Sequence, residues 1–344
     1  MVSKEKKKKL EQRLNGDDKP KTFVNNHSDS TKNDDNDDQW IALFSSDGLN
    51  PSPPTNPRSV KYCLEEFPLR ENFWSLVLKD EFVDPSSIPS IKSIYDDCKE
   101  FESEHFLNRI RKMGDLRNKI ERLTKGQSDN LYWLEYRKMT ITGSKAHLIY
   151  NAARSGILSS KIKKLITGEN ESELNFPPVV WGREKETVAR WDFIKRKKSE
   201  LPNFKFENRG LFVDKMNPFI GASVDGLYLF GGEDPDISDP EVRILEIKCP
   251  YSIKSIGVQK GASQLRYLEG KYPNVSLKKW GPYYTQIQLY LGVYELETCT
   301  LLIWTPIDFI EIDVKRDRQF IEDLFAKFEH FYTDLFVPAL LGNA

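Results

Sequence analysis

The chain has 344 residues, 39 % hydrophobic, 12 % aromatic and 30 % charged, which excludes collagen-like and wholly disordered classes and allows one large domain or two ordinary ones. Its 51 Lys and Arg stand against 52 Asp and Glu, a formal charge of −1, so a nucleic-acid partner would have to be met by a local basic patch. No stretch reaches the roughly 18 apolar residues of a membrane span, and Cys63, Cys98, Cys249 and Cys299 show neither a CxxC pair nor zinc-ligand spacing. The expectation is an intracellular, reducing compartment without membrane insertion, open between nucleus and cytoplasm.

Residues 1–39 carry a lysine run (Lys6 to Lys9) and an Asn/Asp run with few aliphatics, and read as a disordered tail. The lysines suit either a nuclear address or an ordinary solvated end. Residues 40–59, rich in Ser, Asn and Pro after a short apolar patch, read as a linker. From Ile91 to Leu123 apolar residues recur at steps of three to five, which predicts one long helix with a break at Gly114, inside an accessory helical region over 60–127.

The texture changes near residue 128, where a domain running to 344 is expected to begin. A helix carries Trp133 and ends near Arg137, an extended piece covers Met139 to Ile141, and Gly143-Ser144 opens another helix. Asn175 to Val180 reads as a Pro-containing loop. Gly182 to Lys197 reads as a helix with Val188, Trp191 and Ile194 on its apolar side. Strands are predicted at 204–206, 211–213, 221–230 and 242–247, then a helix over 283–295, strands at 300–304 and 309–314, and a closing helix over 318–336. This order predicts an α/β fold, a mixed central sheet flanked by helices, with an N-terminal helical extension.

The chemistry concentrates in Asp225 and the strand Ile244-Leu245-Glu246-Ile247-Lys248. Alternation puts Glu246 and Lys248 on one face and turns Leu245 and Ile247 into the packing. Two carboxylates and an ammonium suit Mg²⁺ and a phosphate, hence metal-assisted phosphodiester hydrolysis. An alternating Glu and Lys is more often a solvated strand edge. Here the two charges interrupt an otherwise apolar run, where unpaired charge is costly and a metal compensates it.

Five ordered motifs add to this reading: Trp133-Leu-Glu-Tyr-Arg137 with Ile141-Thr-Gly-Ser144, Trp181-Gly-Arg-Glu-Lys-Glu186, Gly221-Ala-Ser-Val-Asp225-Gly226, Leu245-Glu-Ile-Lys-Cys-Pro250, and Tyr283-Tyr-Thr-Gln286-Ile-Gln288. Together they resemble the lambda-type exonucleases, the YqaJ-like viral recombinase domain of the PD-(D/E)xK nuclease superfamily, over about residues 133 to 304. The resemblance implies a restriction-endonuclease-like fold in which Glu186, Asp225, Glu246 and the Ile247 carbonyl bind Mg²⁺ or Mn²⁺. It also implies that Lys248 positions the attacking water and that Gln286 supports both. Arg137, Ser144 and Ser223 match positions that hold a terminal 5′-phosphate. Ser144 could equally be a plain helix N-cap, and Glu186 with Arg190 an ordinary surface pair. Tyr283 matches a position near the active site, though a core tyrosine would look the same. One departure is Val224, where the family usually has Pro.

Between Lys248 and Pro282 stand Lys248, Lys254, Lys260, Arg266, Lys271, Lys278 and Lys279 against Glu269 alone. Interleaved with Tyr251, Tyr267, Tyr272 and Trp280, this excess suits phosphates and stacked bases, or else a solvated loop. The activity that the resemblance implies is that of a metal-dependent deoxyribonuclease degrading linear duplex from a 5′ end in recombination or repair. A structure-selective endonuclease and a non-catalytic DNA-binding protein of the same fold are the alternatives. Expected partners are DNA, a single-strand annealing protein and further copies of the chain.

Overall fold

The computed structural model describes residues 83–97, 102–169, 177–232 and 241–342. The readings of 1–39 as a tail and 40–59 as a linker lie outside these residues. The predicted long helix is three shorter ones, α1 Ile91–Asp97, α2 Ser103–Arg111 and α3 Arg117–Leu123. A 3₁₀ stretch, Lys112–Leu116, separates the last two around Gly114. There the backbone passes so close to Lys215 that any side chain on Gly114 would collide with its carbonyl oxygen.

Next come α4 Leu131–Arg137, β1 Ile141–Thr142, α5 Gly143–Ser155 and α6 Ser160–Thr167. The long helix α7 spans Pro177–Glu200. Its start corrects the expected loop at 175–180: proline fits the first turn of a helix, where its missing N–H costs nothing. Its packing corrects a second expectation, because Val188 and Trp191 are 44 % and 54 % exposed while Ala189 and Phe193 are buried. The inward stripe is Glu186, Ala189, Arg190 and Phe193, at i, i+3, i+4 and i+7. Two charged members hid that stripe from a reading based on hydrophobicity.

The strands β2 Lys205–Glu207, β3 Phe212–Val213, β4 Ile220–Ala222, β5 Gly226–Phe230 and β6 Glu241–Lys248 follow. The expected single strand over 221–230 is thus two strands in different sheets, and the crossing between them is Ser223-Val224-Asp225. The basic stretch holds α8 Gly257–Gly261 and a hairpin, β7 Leu268–Lys271 with β8 Asn274–Leu277. The chain closes with α9 Pro282–Tyr294, β9 Thr298–Trp304, β10 Phe309–Lys315, α10 Arg318–His330, a π-helical turn at Phe331–Phe336 and α11 Val337–Leu341.

The main sheet has the order β10-β9-β6-β5-β2 and is mixed, since β6 and β9 are parallel and the other neighbours antiparallel. A smaller sheet, β1-β4-β3, holds the turn after α4 in place. Strand β9 is buried at every residue, as a central strand covered on both faces must be. Ile244, Leu301 and Ile303 join the larger core with α9, while Leu245, Ile247, Leu302 and Trp304 pack under Ala189 and Phe193 of α7. Helix α9 is buried from Tyr283 to Tyr294, all round its circumference. The larger core also takes in Ile91, Ile94, Phe106 and Ile110, so α1 and α2 pack into the same interior as the sheet and its helices. This is a mixed α/β fold, as expected. No helix among the described residues is long and apolar enough to cross a membrane.

Candidate active site

The site forms where β6 ends between two helices. Register pairs Gly226 with Leu245, which sets Asp225 beside the end of β6, and Asp225 Oδ2 accepts the Ile247 amide at 2.6 Å. Glu246 is only 2 % exposed. Its Oε1 accepts Lys248 Nζ at 2.5 Å and Gln286 Nε2 at 2.8 Å, while its buried Oε2 has no partner. Period-two alternation thus puts Glu246 and Lys248 on one face, and that face is turned toward α9. The Lys248 ammonium also lies 4.7 Å from the centre of the Tyr283 ring.

Gln286 donates to Glu246 and, at 2.7 Å, to the Tyr290 hydroxyl, and its own carbonyl oxygen is buried without a donor. Its contact is therefore with the carboxylate rather than with the lysine it was expected to support. Tyr290, one turn further along α9, is a member of the site that motif reading missed; the spacing of four from Gln286 was the available signal. Its ring occupies the space a side chain at Gly143 would fill, so a glycine must open α5.

Glu186 comes in from α7, hydrogen-bonded to Arg190 and a third exposed. Partial burial and the neighbouring Asp225 charge push its carboxyl up to about 7. Burial and Asp225 push Glu246 up to about 8, and burial raises Asp225 as well. For Lys248 burial works the other way, but Glu246, Tyr283 and Asp225 outweigh it, so the ammonium stays charged. Three carboxylates crowd one low-dielectric place with two cations, too few to satisfy them. Among the described residues no three acidic, His or Cys side chains close into a ready-made ligand set. Glu186 leans to Arg190, Asp225 to the Ile247 amide and Glu246 to Lys248. A hard divalent cation nevertheless fits this donor set, because Glu246 keeps an unpartnered buried oxygen and all donors are oxygens.

A second group lies on the other side of the Ser223–Asp225 turn. Arg137 is 6 % exposed, donates from Nη2 to Ser144 Oγ at 3.2 Å, and lies 4.0 Å over the Trp133 ring. Trp133 Nε1 donates to Ser223 Oγ at 2.8 Å. Arg137, Ser144 and Ser223 are therefore brought together, with Trp133 as the link. Thr142 occupies the N-cap position of α5, which removes the reading of Ser144 as a cap; its hydroxyl lies 3.2 Å from Ser144 Oγ instead. Lys145, 3 % exposed with Nζ 3.3 Å from the Arg137 carbonyl oxygen, is a further buried cation here. It follows the Ile141-Thr-Gly-Ser144 motif directly but carried no signal of its own.

The basic stretch divides in two. Tyr267 packs edge-on against Tyr283 at 4.6 Å and lies partly buried against the core, which corrects its expected role in stacking. Tyr272 and Trp280 are exposed at 39 % and 62 %. Lys254 lies 3.6 Å over the Tyr251 ring and 5.1 Å from Trp181, which Lys185 approaches from α7 at 5.1 Å. Two lysines and two aromatic rings thus frame the same strand end.

A mixed sheet presenting Asp225, Glu246 and Lys248, with Glu186 and Gln286 on the helices that cover its two faces, defines an α/β protein built around an acidic site with a lysine. Residues 132–297 match the family model described as the YqaJ-like viral recombinase domain, the family that the chain's motifs resemble. No curated protein sequence matches significantly. Among solved structures, the chain is similar to an alkaline exonuclease from Laribacter hongkongensis, at 16 % identity over 61 % of this chain and 93 % of that one, TM-score 0.41. It is similar to the shutoff and exonuclease protein of Kaposi's sarcoma-associated herpesvirus, at 13 % identity over 73 % and 77 %, TM-score 0.42. A phage-related exonuclease from Haemophilus somnus 129PT gives 14 % identity over 59 % and 95 %, TM-score 0.34.

Proposed function

We propose that this protein is a metal-dependent deoxyribonuclease, a 5′-end-directed exonuclease of linear duplex DNA serving recombination or repair. The observation that carries the reading is Glu246: buried, held through one oxygen by Lys248 and Gln286, and left with a second oxygen that no donor meets. Glu186, Asp225, Glu246 and the Ile247 carbonyl would hold Mg²⁺ or Mn²⁺. When bound, the ion supplies Lewis acidity at the scissile phosphate.

The chain's own groups do the rest. Lys248, kept charged by its neighbours, orients the attacking water and steadies charge on the phosphate. Gln286 fixes the Glu246 carboxylate so that its free oxygen faces the site. Arg137, Ser144 and Ser223 grip the terminal 5′-phosphate, for which the guanidinium fork and two hydroxyls suit the three oxygens of a monoester. Lys185 and Lys254, held over aromatic rings, neutralise flanking phosphates. The single strand left behind is a substrate for an annealing protein.

The test is digestion of a linear duplex labelled at each terminus, beside a covalently closed circle, with Mg²⁺ or Mn²⁺, for the wild type and Lys248→Ala. Nucleotide release from 5′-phosphorylated linear DNA alone, lost in the variant, is the expected result. Nicking of the circle would replace this reading with an endonuclease. Binding without cleavage of either substrate would exclude catalysis on DNA.

A further inference from the structure

Residues ahead of the family match reach into the site. Between α3 and α4 the chain turns through Gly126 and Gln127, both in the left-handed region at φ 94° and 48°. From there the Gln127 carboxamide donates to the Val224 carbonyl oxygen at 2.8 Å and to that of Arg209 at 3.0 Å. Val224 is the middle residue of the crossing between the two sheets, flanked by Ser223 and Asp225. The same segment makes other bonds to the backbone of 209–211: Glu121 Oε1 accepts the Gly210 amide at 2.9 Å and Thr124 Oγ1 the Leu211 amide at 2.7 Å. Of these three side chains only Gln127 also reaches the crossing.

We infer that Gln127 is a positioning residue that sets the Ser223–Asp225 turn, and through it couples the 5′-phosphate group to the metal-binding carboxylates. The inference rests on the proposed nuclease reading. The turn is otherwise held through its side chains, and that of Val224 is fully buried in the larger core. Ser223 is held by Trp133 through its side chain and Asp225 by the Ile247 amide through its own. The peptide between them is fixed by Gln127. Without that bond Ser223 and Asp225 shift together, although Gln127 touches neither. A valine at 224 does not restrict the backbone as a proline would, and the Val224 carbonyl is held by its bond from Gln127.

The test compares Gln127→Met, which keeps length and volume but removes both donors, with Gln127→Gly, which removes the side chain and suits the left-handed backbone. Thr124→Val is the control, losing a bond of the same segment that does not reach the turn. Three quantities are measured: thermal melting, Mn²⁺ affinity by calorimetry without DNA, and the ratio of cleavage rates on 5′-phosphorylated and 5′-hydroxyl duplex ends. Both Gln127 variants are expected to bind Mn²⁺ about tenfold more weakly, the range of a lost outer-shell partner, and to lose end discrimination in step. Thr124→Val is expected to lower the melting temperature while leaving both properties as in the wild type. Wild-type Mn²⁺ affinity and discrimination in a folded Gln127 variant would overturn the inference. So would a Thr124→Val protein showing the same paired losses, since general loosening would then explain them. A wild type that neither binds Mn²⁺ nor cuts DNA would overturn the nuclease reading itself, and the inference with it.

Discussion

Two clusters of buried charge lie in this protein, and they are compensated differently. Around Arg209, 1 % exposed, Glu121 and Glu207 stand at 3.3 and 3.0 Å, and Lys125 reaches Glu207 at 3.1 Å, so two carboxylates meet two cations. The contacts to Arg209 are ion pairs rather than hydrogen bonds, so the attraction is Coulombic and Glu207 Oε2, like Glu246 Oε2, has no hydrogen-bond donor; Glu121 also accepts the Gly210 amide. At the end of β6, by contrast, three carboxylates, Glu186, Asp225 and Glu246, share two cations, Lys248 and Arg190. The first cluster is electrostatically closed and ties α3 to the strands. The second is left short of positive charge, which holds its carboxyls above the usual range.

The sharpest way to break this comparison is Arg209→Met. Two carboxylates would then lie buried with only Lys125 nearby, and a loss of about 3–5 kcal/mol is expected in urea unfolding. A loss below about 1 kcal/mol would make the network no more than a surface pair. Lys248→Ala should show the opposite pattern. Glu246 can take up a proton when its partner is gone, so the melting temperature should change little while cleavage falls roughly a hundredfold or more. A variant that unfolds instead would place Lys248 with the closed cluster.

Dependence on pH sharpens the contrast further. With carboxyls raised to about 7 and about 8 in the folded state, against 4.5 in the unfolded chain, the metal-free protein keeps protons that the unfolded chain releases. Their contribution is full below the unfolded value and is lost as pH rises through about 8. Glu246→Gln should flatten this decline by up to about 1 kcal/mol per pH unit, read from melting at pH 5, 7 and 9 without metal; an unchanged slope would refute the assignment. The same sign requires metal affinity to rise with pH over that window, since binding must displace these protons. The smallest effect is expected for Lys254→Ala, which should weaken DNA binding evenly across sequences and reduce the logarithmic salt slope by about one. An unchanged slope would return Lys254 to the solvated surface.

Glu246 and Lys248 were legible because strand alternation is local: two charges two residues apart in an apolar run must share a face. Helix α9 was legible as an element over 283–295, and Gln286 on it through the resemblance of its motif. Helix α7 was misread in part because Glu186 and Arg190 stand on its inward stripe, where hydrophobic periodicity finds nothing. A functional site breaks the pattern that reveals the fold. The crossing at 223–225 was read as the middle of one strand, since no local signal marks a chain that changes sheets.

The sequence by itself determined most of the element types, the mixed α/β class and the shared face of Glu246 and Lys248, because these depend on spacing along the chain, whereas the other candidate site residues came from the resemblance of its motifs. Only the tertiary structure decided that Arg137, Ser144 and Ser223 meet through Trp133, that Gln286 holds Glu246, and that Gln127 reaches Val224 from outside the matched domain. The first link spans 90 residues, the second 40 and the third 97. Contacts at such separations follow from how sheets and helices pack, and no local spacing along the chain encodes them.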